Sequence, residues 1–170
     1  MSGNPTVQPE IIRGSALPSV ALALASAAAG RLATNGTQIT LPDEIKWSKQ
    51  DGFPDNSLDN AVLAGSLTQP PLYLTLVRWH PGYMSAPHIY LTDRLSIVVS
   101  GTWWVNSGPE FDPAKCVPMP PGSFVRRLAH TPHYDGVVAA GKEPAIVAIC
   151  GFSPVGAQLV DPARPGWRRV

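Results

Sequence analysis

From residue 38 onward, turn-forming residues cut the chain into short apolar runs. The runs cover 38–41, 61–67, 72–79, 94–100, 102–106, 123–128, 136–139 and 145–152, with 155–160 as a further candidate. Pro81-Gly82, Ser107-Gly108-Pro109, Pro120-Pro121-Gly122 and Ala140-Gly141-Lys142 separate them. Glycine and proline punctuate a chain because one frees φ and the other fixes it. No long segment after residue 37 repeats its apolar positions at helical spacing. Many short strands at regular spacing predict an all-β sandwich or barrel.

Before residue 38 the texture differs. Residues 17–29 are a run of Ala, Leu, Val and Ser between Arg13 and Gly30. The small residues at 25–29 resemble a signal-peptide cleavage region, which would make the protein periplasmic or secreted. The segment before Arg13 is long and not basic, which opposes cleavage. The alternative is a helix begun near Pro18 and stopped at Gly30, in a cytoplasmic protein. Such a helix would be apolar on nearly every face and would need burial against the barrel or a second subunit. The run is too short to span a bilayer as a helix. The expected organisation is an N-terminal extension at 1–37, partly helical, and a β-barrel domain at 38–170.

Composition narrows the function classes. A chain of 170 residues that is 44% hydrophobic can bury the core of one domain. Lys+Arg 13 against Asp+Glu 12 gives a net charge of +1, so no basic field points to nucleic acid. Charged residues are only 15%, low for a solvated monomer. With the apolar 17–29 run, this predicts a homodimer in which that segment covers a sheet or an exchanged edge. Cys116 and Cys150 form no CxxC, which excludes a zinc knuckle. Cys150 lies in an apolar run and reads as a core thiol, with a disulfide to Cys116 open in an oxidising compartment. No nucleophile elbow, Ser-His-Asp arrangement or phosphate-cradling glycine loop is present.

The chemistry concentrates in two stretches that hold His88, His130 and His133, with the fourth histidine, His80, just before the first. The first runs from Gly82 through His88, Tyr90 and Arg94 to Gly101. The second is Leu128-Ala-His130-Thr-Pro-His133-Tyr134. Together with the strand-like 72–79, the Ser100-Gly101-Thr102 turn and the linker from Phe111-Asp112 to Pro120-Pro121-Gly122, they resemble a small single-domain bacterial cupin. The resemblance covers residues 45–160, about two thirds of the chain, and keeps the order of the family's motifs. It implies an RmlC-like jelly-roll barrel with degenerate metal-binding motifs. The first histidine of the family's His-x-His matches His88 and the last ligand matches His133. Tyr90 replaces the second histidine, and Arg94 replaces the glutamate.

The resemblance implies a pocket inside the barrel. His88 and Tyr90, two apart on a strand, point the same way. Arg94 should also project inward. A guanidinium has no acceptor and cannot be a ligand, and its charge repels a divalent ion. Two roles are open for it: an anion clamp for substrate, or a buried ion pair with Glu110 or Asp135. One of Arg126 and Arg127 should face the lumen and the other solvent, and Arg126 is a candidate substrate contact. Trp104, in the Trp103-Trp104 pair, is a candidate for the pocket mouth. His130 is either a rearranged ligand or a hydrogen-bonded loop residue, and His80 reads as the latter.

The expected function is that of a small-molecule-acting cupin. In one form it is a metal-dependent enzyme of oxygenase, isomerase or lyase type. It would hold one divalent transition metal (Fe, Mn, Ni, Cu or Zn) on His88 and His133, with His130 or Tyr90 completing the set and Tyr90 and Arg94 as catalytic candidates. In the other forms it is a metal-free module binding an anionic small molecule, or a structural oligomer. Fold analogy does not choose the reaction.

Overall fold

A computed structural model of the chain describes residues 31–32 and 36–170. The apolar 17–29 run and nearly all of the 1–37 extension lie outside these residues, and so do the helix and signal expectations attached to them. The first elements are β1 (Arg31–Leu32), β2 (Gln38–Ile39), β3 (Ser48–Lys49), β4 (Leu58–Gly65), β5 (Leu72–Trp79), β6 (Tyr83–Ser85), β7 (His88–Ile89) and β8 (Arg94–Ser100). There follow β9 (Trp103–Ser107), β10 (Val117–Met119), β11 (Phe124–Arg127), β12 (His133–Val137), β13 (Ala145–Phe152), β14 (Gln158–Leu159) and β15 (Trp167–Arg169). Helix is limited to short 3-10 turns at Pro42–Glu44 and Pro113–Lys115 among the described residues. No helix among them is long and apolar enough to cross a membrane.

Two antiparallel sheets face each other. The six-stranded sheet has the order β11-β8-β13-β5-β4-β3. The seven-stranded sheet runs β10-β9-β12-β6-β15, with β7 joining β12 to β14. The apolar runs 72–79, 94–100 and 145–152 are strands with the expected bounds, because each alternates across a half-buried sheet, whereas the strand expected at 61–67 runs Leu58–Gly65 and does not alternate. Short strands such as β6, β7 and β15 have too few residues for alternation to show. β12 begins three residues before the expected 136, at His133, and all five of its residues are buried. A strand covered on both faces need not alternate, and His-Tyr-Asp-Gly carries no apolar signal.

The main core lies between the sheets and includes Tyr73, Val77, Trp79, Val98, Trp103, Val147 and Ile149. A second cluster of Met84, Cys116 and Tyr134, with Trp104, Phe111 and Val170 packed against it, covers the other face of the seven-stranded sheet. Gly101 turns the chain from β8 to β9 at φ 70°, and a β-carbon there would overlap the Pro144 carbonyl. β8 inverts the usual polarity. Arg94, Ser96 and Val98 face inward and are buried, while Leu95, Ile97 and Val99 are 46%, 51% and 53% exposed on the outside.

Candidate functional site

A cavity of about 410 Å³ lies between the sheets, within the size range of small-molecule sites. Strand register orders the inward side chains of the six-stranded sheet into rows. At one end Leu58, Trp79 and Ala145 stand side by side. Next come Asn60, Val77, Val147 and Val98, then Thr75, Ile149 and Ser96. The last row is Tyr73, Gly151, Arg94 and Arg127. The wall therefore grades from apolar to cationic. A β-carbon at Gly151 would lie 2.8 Å from the Tyr73 hydroxyl and 3.0 Å from the Asp93 carbonyl oxygen. The glycine leaves Tyr73 room beside Arg94.

The opposite wall brings His88 and His133 together as a cross-strand pair, with ring centroids 4.4 Å apart. Each Nδ1 lies on a carbonyl oxygen, Ala86 at 2.8 Å for His88 and Thr131 at 2.9 Å for His133. A carbonyl only accepts, so both Nδ1 atoms carry the proton and both Nε2 atoms keep a lone pair. Burial holds both imidazoles below their usual pKa. The Arg127 charge and His88 push His133 further down, and the Arg94 and Arg127 charges do the same to His88. Tyr90 sits beside the pair, its ring 4.9 Å from His88 and 5.3 Å from His133.

Two arginines complete the polar end. Arg127, 8% exposed, donates to the Asn106 carbonyl at 3.1 Å and to the Asp135 carboxylate at 3.3 Å. Asp135 also accepts from the Trp103 indole at 3.2 Å. Arg94, equally buried, has no salt bridge among the described residues, and its Nε has no hydrogen-bond partner. Its guanidinium carbon lies 3.9 Å from the Tyr90 ring centroid and 5.8 Å from that of Tyr73. Burial opposes the Arg94 charge, but Tyr90, Tyr73 and Asp135 outweigh it and hold its pKa above the usual arginine value. The group stays cationic.

No protein-family model matches the chain, and no curated protein sequence matches it. Solved structures do match its shape. A cupin-2 domain protein from Rhodospirillum rubrum superposes at a TM-score of 0.55, with 16% identity, over 75% of this chain and 82% of its own. The polyketide cyclase RemF from Streptomyces resistomycificus gives 0.55, at 14% identity, over 79% and 85%. KdgF from a Halomonas species gives 0.52, at 17% identity, over 68% and 94%. The fold is that of a cupin. At these identities the likeness concerns the barrel and not its contents.

The metal that the cupin motifs imply does not fit this donor set. Among the described residues no three His, Cys, Asp or Glu side chains are grouped so as to hold an ion. The imidazole pair offers two nitrogens. Asp135, the carboxylate lining the cavity, is already engaged by Arg127 and Trp103. Arg94 and Arg127 put positive charge where a divalent ion would need negative charge.

The barrel gathers His88, Tyr90, Arg94 and His133 around one cavity, but not His130, Trp104 or Arg126. His130 occupies a turn at φ 58°, its N–H donating to the Tyr90 carbonyl at 2.8 Å, with its side chain exposed. That placement takes its imidazole off the cavity wall. Trp104 follows Trp103 on a strand, so it faces away and packs against the Met84–Tyr134 cluster. Arg126 points outward and pairs with Asp93 at 2.8 Å. Arg127 stands opposite Arg94 across β8 and β11 and takes the inward place. Of the expected partners for Arg94, Asp135 is taken by Arg127, and Glu110 is exposed. His80 lies on Asp59 at 2.9 Å, away from the cavity, and both cysteines are free. Sequence reasoning missed Tyr73, Gly151, Trp79 and Phe53 as site residues. Thr75 and Ser96, polar residues at inward positions of apolar strands, were the signal that a lined cavity replaces packed core there.

Proposed function

We propose that this cupin is a small-molecule-binding protein whose ligand is an organic anion held by Arg94, at a site that does not require a divalent metal. One observation carries the reading: a guanidinium 8% exposed, lining a cavity, with no carboxylate partner among the described residues and an unpartnered Nε. Burying an unpaired charge is costly, and a carboxylate from the ligand supplies the missing partner in a geometry that suits the guanidinium fork. Enzymes occur among the structures of similar fold, including a polyketide cyclase, a DMSP lyase and an oxalate oxidase. They support a pocket for small molecules in this fold. For this chain recognition fits better than catalysis. The set lacks the donors for a resident metal, and imidazoles held below their usual pKa accept hydrogen bonds but retain protons poorly.

The test is thermal denaturation of chelator-treated protein with a panel of organic carboxylates. Members of the panel should raise the midpoint for the unaltered chain and leave Arg94→Met unchanged. Stoichiometric, chelator-resistant metal, or stabilisation that Arg94→Met keeps in full, would overturn the proposal.

The homodimer read from composition belongs to the same proposal. It is supported by Leu95, Ile97, Val99, Phe124 and Phe152, exposed on adjacent strands of the six-stranded sheet. A contiguous apolar sheet face on a chain of low charge fits a second copy of itself. Light scattering should give twice the chain mass, and a monomer unaffected by Ile97→Lys would count against it.

A further inference from the structure

Arg94 accounts for one group of the ligand, and two other features of the cavity constrain the rest. The first is the imidazole pair. Both Nδ1–H groups are spent on carbonyls, so both Nε2 atoms offer lone pairs on the cavity wall, and neither has a partner among the described residues. A bare carboxylate would face these lone pairs with its own. The group opposite them must be a hydrogen-bond donor. An ammonium is disfavoured, because Arg94 and Arg127 already make this end cationic. A hydroxyl is the neutral donor that fits. Tyr90 measures the spacing. Its ring lies against the Arg94 guanidinium, whose carbon is 3.9 Å from the ring centroid, and against both imidazoles, with centroids 4.9 and 5.3 Å away. Clamp and acceptors border the same ring, so the hydroxyl lies close to the carboxylate on the ligand.

The second feature is the apolar end. Leu58, Val77, Trp79 and Phe53 line the cavity there, with the Phe53 and Trp79 rings edge to face at 6.0 Å. A small hydroxy acid alone would leave this surface facing water. A ligand carrying an apolar, ring-sized substituent would cover it.

We infer that the ligand is an α-hydroxy carboxylate bearing an apolar, aryl-sized group. Its carboxylate lies on Arg94, its hydroxyl donates to Nε2 of His88 or His133, and its ring lies against Trp79 and Phe53. The inference rests on Arg94 as the anion clamp and adds the chemical class of what is clamped.

The test is calorimetric titration of the full chain with phenyllactate, phenylpropanoate (no hydroxyl) and lactate (no ring). The series needs no variant, so it does not depend on the folding of one. Phenyllactate should bind about tenfold tighter than phenylpropanoate, the worth of one buried hydrogen bond. It should bind roughly a hundredfold tighter than lactate, which lacks the apolar body. His88→Phe and His133→Phe keep a ring and remove an acceptor. At least one should bring phenyllactate down to the phenylpropanoate affinity. Equal binding of phenyllactate and phenylpropanoate would overturn the hydroxyl, and equal binding of lactate would overturn the apolar body. In both cases an Arg94-dependent carboxylate site would survive. Binding of none of the three, or binding indifferent to Arg94→Met, would remove the clamp itself.

Discussion

Arg94 and Arg127 stand opposite each other on β8 and β11, face the same cavity and are equally buried, yet they do different work. Arg127 is part of the architecture. It ties β11 to β9 through the Asn106 carbonyl and to β12 through Asp135, so it bridges the two sheets. Arg94 makes no salt bridge among the described residues. It rests on Tyr90 and leaves Nε unpartnered. A buried charge with its partner built in belongs to the fold, while one without a partner implies a group from outside. Sequence position alone does not separate the two, because both are arginines in short strands of the same sheet.

Breaking each side separates them. Arg127→Met should lower stability by about 3 kcal/mol, because it removes the ion-pair partner of the buried Asp135 carboxylate and leaves it hydrogen-bonded only to the Trp103 indole. Urea denaturation reads this directly. Arg94→Met orphans no carboxylate. Folding stability should stay within about 1 kcal/mol of the unaltered chain, while affinity for an organic carboxylate falls by about 2–3 kcal/mol, the worth of a charged hydrogen-bonded contact. Equal losses of stability in the two variants would erase the distinction.

Gly151→Ala sharpens the picture from behind. Its β-carbon would crowd the Tyr73 hydroxyl at 2.8 Å and the Asp93 carbonyl at 3.0 Å. A cost of about 1–2 kcal/mol is expected for overpacking. Ligand affinity should fall as well, because Tyr73 shares the row with Arg94, and calorimetry on the variant checks it.

The smallest effect comes from an ion pair outside the cavity. Asp59 accepts from Arg78 at 2.7 Å and lies 2.9 Å from His80. Partial burial raises its pKa, and the His80 and Arg78 contacts more than offset this, leaving it below the usual carboxylate value. Its contribution is therefore fully present above the unfolded pKa of about 4 and is lost as pH falls through the lower folded value. Asp59→Asn should cost about 1 kcal/mol or less at neutral pH and nothing once both states are protonated. Denaturation midpoints at neutral and strongly acid pH check the convergence.

The barrel was legible because its long strands alternate and its turns carry Gly and Pro. The shared face of His88 and Tyr90 was legible for the same reason, since residues two apart on extended chain point the same way, whereas Arg94 meets them from the opposite sheet after the chain bends at Leu91-Thr92. What remained illegible depended on register. Choosing Arg127 over Arg126 needs the pairing with Arg94, and a strand of Phe-Val-Arg-Arg gives no apolar phase to fix it. His130 was an extra imidazole within the second motif, but its left-handed backbone turns it out to solvent. Trp103 and Trp104 are identical residues, and only the sheet decides which one meets the cavity. That Asp135 belongs to Arg127 and not to Arg94 is a fact of tertiary packing that spacing does not carry.

The central claim is that a cation replaces the metal as the ligand's anchor. Titrating phenyllactate into the same preparation before and after exhaustive chelation tests it most directly. Unchanged affinity and stoichiometry are the predicted result. Binding that disappears with the chelator and returns on adding back a divalent transition metal would contradict the account.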